Sequence, residues 1–334
     1  MTIRPAAALE AIASAFALGT VRAAEYLPHG ILNRNWRIDT DRGRHALKEL
    51  DALEPDLARR RLELLPRLAA AGVPVAEAVP SADGDLVPRI GARAYYLSPW
   101  IDGDHPRGEA MTPEASRHMG AVIGRIHTAL ADPATGLDAP KAPELAVMPL
   151  GEAVAAVAMH LRRIEDRTSP DDFDRAAAAG LRRRLDLLAA HGHRRPETAG
   201  TGPHGWTHGD CQNWNLLWRG GRIVAVLDWD RLRPNAYGEE IARAAMYQCV
   251  RADGSVDLAN VAALIAGYRT ESAIGTEALA EAARHRWWRI AASVWHLEYR
   301  YDKGVKAAEA LFHSDERLLH WWTANLDEVE AAFM

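Results

Sequence analysis

Apolar positions recur at helical spacing along most of the chain and alternate with polar ones in two regions only. Ala8, Leu9, Ile12, Ala15 and Phe16 share one helical face, which predicts an amphipathic first helix. Residues 31–38 then read as a strand, Asp39-Thr40-Asp41-Arg42-Gly43 as a turn, and 44–50 as a returning strand. Pro55 suits the first position of a helix that runs toward Leu65, is disturbed at Pro66 and stops at Gly72. Residues 73–79 are extended, and 86–90 with 94–98 form a second hairpin after the turn Ser81-Ala82-Asp83-Gly84-Asp85. Helical patterns follow at 113–130, 151–166 and 171–191. A second β region, 216–218 and 223–227, is joined by Gly220-Gly221, and helices resume at 239–250, 258–270, 276–301 and 315–333. The pattern predicts an α+β chain: a small β-rich lobe at 1–100, then a larger, mostly helical lobe at 101–334, linked through Pro99-Trp100-Ile101-Asp102-Gly103-Asp104.

Composition narrows the class. The 334 residues carry 40 basic and 45 acidic side chains, a formal net charge of −5. That balance argues against nucleic acid as a partner, since affinity there rests on clustered Lys and Arg. The arginine runs 59–61, 162–163 and 182–184 sit in helical patterns and read as solvated faces. Cys211 and Cys249 have no framework spacing, so free thiols and a cytoplasmic location are expected. No run approaches the ~20 apolar residues of a membrane span, so no membrane partner is expected. Glu10 interrupts the N-terminal apolar run, which favours a helix over a secretory signal.

The chemistry concentrates at 207–230. Phosphoryl transfer from ATP needs a carboxylate to orient a hydroxyl and take its proton, hard oxygens to hold Mg²⁺, and a cation for the phosphates. Asp210 precedes Asn215 by five residues, and Asn215 precedes Asp228 by thirteen across the Gly-Gly hairpin. That hairpin lets Asn215 and Asp228 face one cleft. One Asp is left as base, with an Asn/Asp pair for metal.

His208-Gly209-Asp210, with Asn215 and Asp228, resembles the aminoglycoside phosphotransferase and choline kinase family, which shares its fold with eukaryotic-type protein kinases. The resemblance implies a bilobed protein-kinase-like fold. It implies Asp210 as catalytic base, Asn215 and Asp228 as Mg²⁺ ligands, and His208 as a structural prop of the loop; Asp230 is a further candidate for metal or substrate. Gly30 to Ile38 is similar to the family's strand over the nucleotide, with Gly30 and Asn33 as contacts. Ala46-Leu47-Lys48 is similar to the A-x-K of the kinase lysine strand, so Ala46 would admit adenine and Lys48 would reach the phosphates. Residues 95–100 resemble the hinge, with Ser98 and Trp100 at the base, and 120–127 resemble the first helix of the large lobe.

Two departures stand out. The helical position expected to hold a Glu for Lys48 is Arg61; Glu63 is the expected substitute, with Glu54 the other candidate. The family's Asp-Leu-Ala reads Glu240-Ile241-Ala242 here, so Glu240 is the expected stand-in.

The donor would be ATP, with GTP as an alternative, and the acceptor a hydroxyl of a small molecule. Only ten residues separate Asp228 from the helix at Glu239, too few for the regulated segment of a protein kinase. An antibiotic or similar secondary metabolite ranks first as acceptor; homoserine, choline or ethanolamine, a sugar and a nucleoside are the alternatives. Trp295 and Tyr299 would form an aromatic wall and Glu298, Asp302 and Asp315 would meet an amine, although core packing explains the C-terminal tryptophans as well. A nucleotide-binding pseudokinase, and a metal hydrolase using His204, His208 and Asp210, are the competing classes. A monomer or homodimer is expected.

Overall fold

The computed structural model describes residues 6–28, 33–51 and 53–334, so Gly30 lies outside the described residues. The chain opens with α1 (Ala6–Ala15), followed by β1 (Val21–Leu27), β2 (Arg34–Thr40) and β3 (Gly43–Leu50). Two short helices come next, α2 (Pro55–Leu62) and α3 (Leu65–Ala70), then β4 (Arg89–Ile90) and β5 (Arg93–Pro99). The five strands form one antiparallel sheet in the order β1-β2-β3-β5-β4. The expected single helix after Pro55 is broken because Pro66 sits in the first turn of α3 and cannot continue α2. β1 was missed by the sequence pattern: its middle is exposed on both faces, so it carries no period-2 signal.

The two faces of the sheet have different jobs. Trp36, Ile38, Leu47, Tyr95 and Leu97 pack against Ile12, Ala13 and Phe16 in a small core under α1. The alternate residues of β3 and β5 point the other way, and register places Ala46 opposite Ser98 and Lys48 opposite Tyr96. The period of two that buries Leu47 therefore also presents Lys48 to the rest of the molecule.

Helices dominate after Pro99. α4 (Pro113–Leu130) starts at Thr112, whose hydroxyl caps Ala115 N. α5 (Leu150–Glu165) and α6 (Asp172–His191) form an antiparallel pair, the second opened by a reciprocal Asp171–Asp174 capping box. Four short strands carry the central loops: β6 (His204–Thr207), β7 (Leu216–Arg219), β8 (Arg222–Val226) and β9 (Arg233–Ala236). β6 pairs with β9 and β7 with β8. The chain closes with α7 (Tyr237–Gln248), α8 (Leu258–Tyr268), α9 (Thr276–Ala292), α10 (Trp295–Tyr301), α11 (Ala308–Ala324) and α12 (Leu326–Phe333).

α4 crosses α8 at glycine-to-backbone distance. A Cβ on Gly120 would lie 1.8 Å from Leu264 O, and one on Gly267 1.9 Å from Arg117 O. The helix expected across 276–301 breaks at Ser293-Val294, so Trp288 and Trp295 do not share one helical stripe. Trp287, Trp288 and Trp322 are fully buried core residues. Among the described residues no helix is long and apolar enough to cross a membrane. Both cysteines are buried free thiols.

Candidate active site

Gly209 sets the geometry of the central loop. Its φ is +82°, and a Cβ there would meet Arg231 O at 2.2 Å, so only glycine fits. Two contacts hold the turn. The Gly209 N–H donates to Glu240 Oε1, and Glu240 Oε2 lies 2.7 Å from His127 Nε2. His127 is itself steadied by the Tyr268 hydroxyl, 3.0 Å from Nδ1, and stacks on Tyr237. Glu240 thus tethers the loop, as expected for the stand-in. Burial opposes its charge, but the His127 contact outweighs this and holds the carboxyl below the usual range.

His208 is fully buried beneath the loop. Its Nε2–H donates to Leu227 O at 2.9 Å, and its Nδ1 accepts from Asp210 N at 3.3 Å. Those two bonds assign the proton to Nε2. The ring therefore joins the backbone before Asp228 to the backbone of Asp210. His204, by contrast, is exposed on β6. His208, Cys211 and Glu240 lie close enough to suggest a metal cluster. However, both histidine nitrogens and both carboxylate oxygens are already bonded, and burial pushes the Cys211 thiol well up. The expected trio for a metal hydrolase is not assembled.

Asp210 points its side chain between two partners. Arg243 Nη2 donates to Oδ1 at 2.5 Å with Nε at 3.2 Å, and Asn215 Nδ2 donates to Oδ2 at 3.2 Å and to Asp210 O at 2.9 Å. Asn215 gives its amine side to this loop, which leaves Oδ1 for another partner. Leu227 N–H donates to Asn215 O at 2.8 Å, which brings Asn215 alongside Asp228.

Asp228 adopts φ 59° and ψ 71°, the left-handed region that a non-glycine residue enters at a cost. Lys48 crosses from the sheet to meet it: Nζ lies 2.9 Å from Asp228 Oδ1 and 3.2 Å from Asp230 Oδ2. Asn33 Nδ2 donates to the same Asp230 oxygen at 2.6 Å. Burial disfavours the Lys48 ammonium, but Tyr96, Asp230 and Asp228 together hold it well above its ordinary value. The two carboxyls diverge. Burial raises both, but Lys48 brings Asp228 below the usual carboxylate range, whereas repulsion from Asp228 helps keep Asp230 above it. The Asp228 carboxylate and Asn215 Oδ1 are hard oxygen donors on adjacent backbone, a donor set that fits a magnesium ion.

Several expected residues sit elsewhere. Glu63 and Glu54 are exposed, and neither pairs with Lys48. The inward position on that helix belongs to Arg61, which donates to the carbonyls of Asp230 and, at 3.0 Å, Leu232. A cation holding backbone from one side and two carboxylates holding Lys48 from the other replace the expected Lys–Glu pair. Trp100 gives its N–H to Arg44 O at 3.0 Å, so this donor is already engaged and is not open to a base. Ala46 and Ser98 face the cleft side by side. On α10, Glu298 is exposed, Asp302 pairs with Arg163 at 2.7 Å, Tyr299 lies under Lys303, and Trp295 packs on His296. None of the four is among the hydrogen-bond partners of Asp210. Arg243 went unnoticed in the sequence. Its spacing of three from Glu240 puts both on one face of α7, which is the signal that could have found it.

The profile of the Phosphotransferase enzyme family (APH) matches residues 23–274, three-quarters of the chain. The chain belongs to that family. This APH member is 23% identical over 329 residues to a homoserine kinase of Methylobacillus flagellatus, covering 95% of this chain and 93% of the relative. It is 31% identical to a homoserine kinase of Burkholderia multivorans over 114 residues, 34% of each chain. Its fold matches a spectinomycin phosphotransferase crystallised with ADP and spectinomycin, at TM-score 0.66 and 14% identity, over 100% of this chain and 99% of that one. A microcompartment-associated aminopropanol kinase matches at TM-score 0.62 and 15% identity, over 98% and 99%. The fold is therefore the protein-kinase-like fold of the APH enzymes, and the chain is a small-molecule phosphotransferase with an alcohol group as acceptor.

Proposed function

We propose that this APH enzyme transfers the γ-phosphoryl group of ATP to a hydroxyl of a small molecule, with Asp210 as base and Lys48, Asn215 and Asp228 around the phosphates. The observation that carries the reading is the convergence of Lys48 from β3 on Asp228, within one hydrogen-bonded loop system that also orients Asp210. The hydroxyl oxygen attacks phosphorus, the bond to the β-phosphate oxygen breaks, ADP leaves, and the hydroxyl proton passes to Asp210. Arg243 and Asn215 hold the Asp210 carboxylate in place for this role. A positioned base is worth about 10²–10⁴ in rate. Lys48 would move from Asp230 toward the phosphates, which share its charge with Asp228. Magnesium, held by Asn215 Oδ1 and Asp228, would neutralise charge on the transferring group. Ala46 and Ser98 would border the base, while Asn33 and Arg61 fix the loop around Asp230.

Two acceptor readings compete. The spectinomycin phosphotransferase and other antibiotic kinases of the same fold support an antibiotic acceptor. A metabolic alcohol is supported by the homoserine kinase relative that spans nearly the whole chain. The test is Mg²⁺-ATP consumption against aminoglycosides, homoserine, amino alcohols, sugars and nucleosides, wild type beside Asp210→Asn. Turnover lost in Asp210→Asn with nucleotide affinity retained supports the assignment; wild-type turnover in that variant refutes it.

A further inference from the structure

Close to Asp210, α7 and α9 bring together more positive charge than their neighbours answer. Arg243 and Tyr247 are four apart on α7, and Arg286 and Arg289 three apart on α9, so each pair shares a face of its helix. The guanidinium groups of Arg243 and Arg286 both lie against the Tyr247 ring, 4.9 and 5.0 Å from its centroid. Arg243 reaches Asp210. Arg286 is 7% exposed and reaches no carboxylate: Nη2 donates to the Tyr247 hydroxyl at 2.7 Å, and its buried Nε has no partner. Among the described residues Arg286 and its exposed neighbours Arg289 and Arg233 of β9 form no salt bridge, whereas the other two buried cations, Lys48 and Arg184, each do. The nearby carboxylates are committed to histidines, Glu239 to His285 and Asp315 to His296 at 3.0 Å. Burial and repulsion from Arg286, Arg243 and Arg233 hold the Arg289 guanidinium below its ordinary value, with Glu239 only partly offsetting them.

A buried guanidinium without an anion is costly unless a ligand supplies one. Its planar fork matches carboxylate and phosphate oxygens. We infer that the acceptor is an anionic alcohol, carrying a carboxylate or phosphate monoester that sits on Arg286 and Arg289 while Arg243 keeps Asp210 turned to the hydroxyl. The inference rests on the phosphotransferase reading and narrows it. Of the residues expected to meet an amine, Glu298 and Asp302 are at the surface and Asp315 is buried against His296, and a polycationic acceptor would face like charge at α9.

The experiment compares steady-state kinetics on short hydroxy acids, amino hydroxy acids and phosphorylated alcohols with their uncharged amides, methyl esters and unphosphorylated parents, using Mg²⁺-ATP. An anionic acceptor should exceed its neutral partner in kcat/KM by about 100-fold, two charge-assisted contacts at roughly tenfold each. The acid and phosphate arms distinguish the two sources of the anion. Arg286→Gln should raise KM for the anionic acceptor at least about tenfold, Arg286→Lys should recover part of it, and KM for ATP should stay within about twofold. Arg289→Gln gives an independent second reading at an exposed position, should Arg286→Gln fold poorly. Asp210-dependent turnover of neutral or cationic acceptors alone overturns the inference and leaves the phosphotransferase standing. So does ATP binding with no anionic acceptor turned over, or equal KM for acid and amide in wild type and variants. Absence of both nucleotide binding and turnover overturns the parent reading and the inference with it.

Discussion

Glu240→Ala removes the acceptor that joins the Gly209 N–H to His127. Both donors are buried, and among the described residues neither is hydrogen-bonded to another carboxylate. Each orphaned donor costs about 1–3 kcal/mol, and breaking a buried, paired carboxylate costs about 3–5 kcal/mol in total. With an unfolding entropy of about 2.1 cal/mol/K per residue, a chain of 334 residues loses about 4–7 °C in Tm. The catalytic consequence is separate. Gly209 is adjacent to Asp210, and a shift of about 1 Å in a positioned group costs up to about 10²-fold. Scanning calorimetry and steady-state kinetics with saturating Mg²⁺-ATP would read both effects. Glu240→Gln keeps an oxygen for Gly209 and should fall between the two. The pH dependence has a definite sign. The Glu240 carboxyl is lowered in the fold, so its contribution is complete above the unfolded value of about 4.3 and is lost as pH falls through the folded value. The gap in Tm between wild type and Glu240→Gln should therefore narrow in acid below about pH 4.3. A Glu240→Ala protein with unchanged Tm and kcat would refute the tether.

Other outcomes follow from the same geometry. Lys48→Met should raise KM for ATP and leave Asp228 and Asp230 facing each other, a loss checked by nucleotide titration. Asp228→Ala should weaken Mg²⁺-nucleotide binding, and an unchanged Kd would refute its ligand role. Arg61→Ala removes donors to the Asp230 and Leu232 carbonyls, which should cost about 1–3 kcal/mol and show in denaturant midpoint as well as in KM for ATP. Gly120→Ala would force α4 and α8 apart at a Cβ-to-carbonyl distance of 1.8 Å, so it should lower soluble yield sharply.

The candidate site was legible where chemistry dictates residue type at fixed spacing. His208, Asp210, Asn215 and Asp228 lie on one chain segment, and the loop that carries them is short enough for spacing to imply geometry. The α+β character was legible for the same reason, because apolar and polar residues such as Leu47 and Lys48 alternate between the two faces of a strand. What comes from packing between distant elements was not legible. Arg61 reaches the Asp230 backbone from α2, a partner 169 residues away. Glu63, two residues beyond Arg61, falls on the opposite, exposed side of the helix, and no local pattern reveals that a cation has taken the inward position. The arginines on α9 were hidden likewise, since in a line of sequence each resembles a solvated surface residue. β1 was missed because an edge strand exposed on both faces has no buried alternation.

The contacts across the cleft bear on the timing of the catalytic cycle. Lys48 to Asp228 and Asp230, Asn33 to Asp230, and Arg61 to two carbonyls all join the sheet side to the loop side. They form a latch with several bolts, all on the segment that would hold magnesium and nucleotide. Separating the sheet from the helices means drawing these bolts together, so the cleft opens as one cooperative event. Were nucleotide held on this segment as proposed, ADP would leave only through that opening, a motion separate from bond-making at phosphorus.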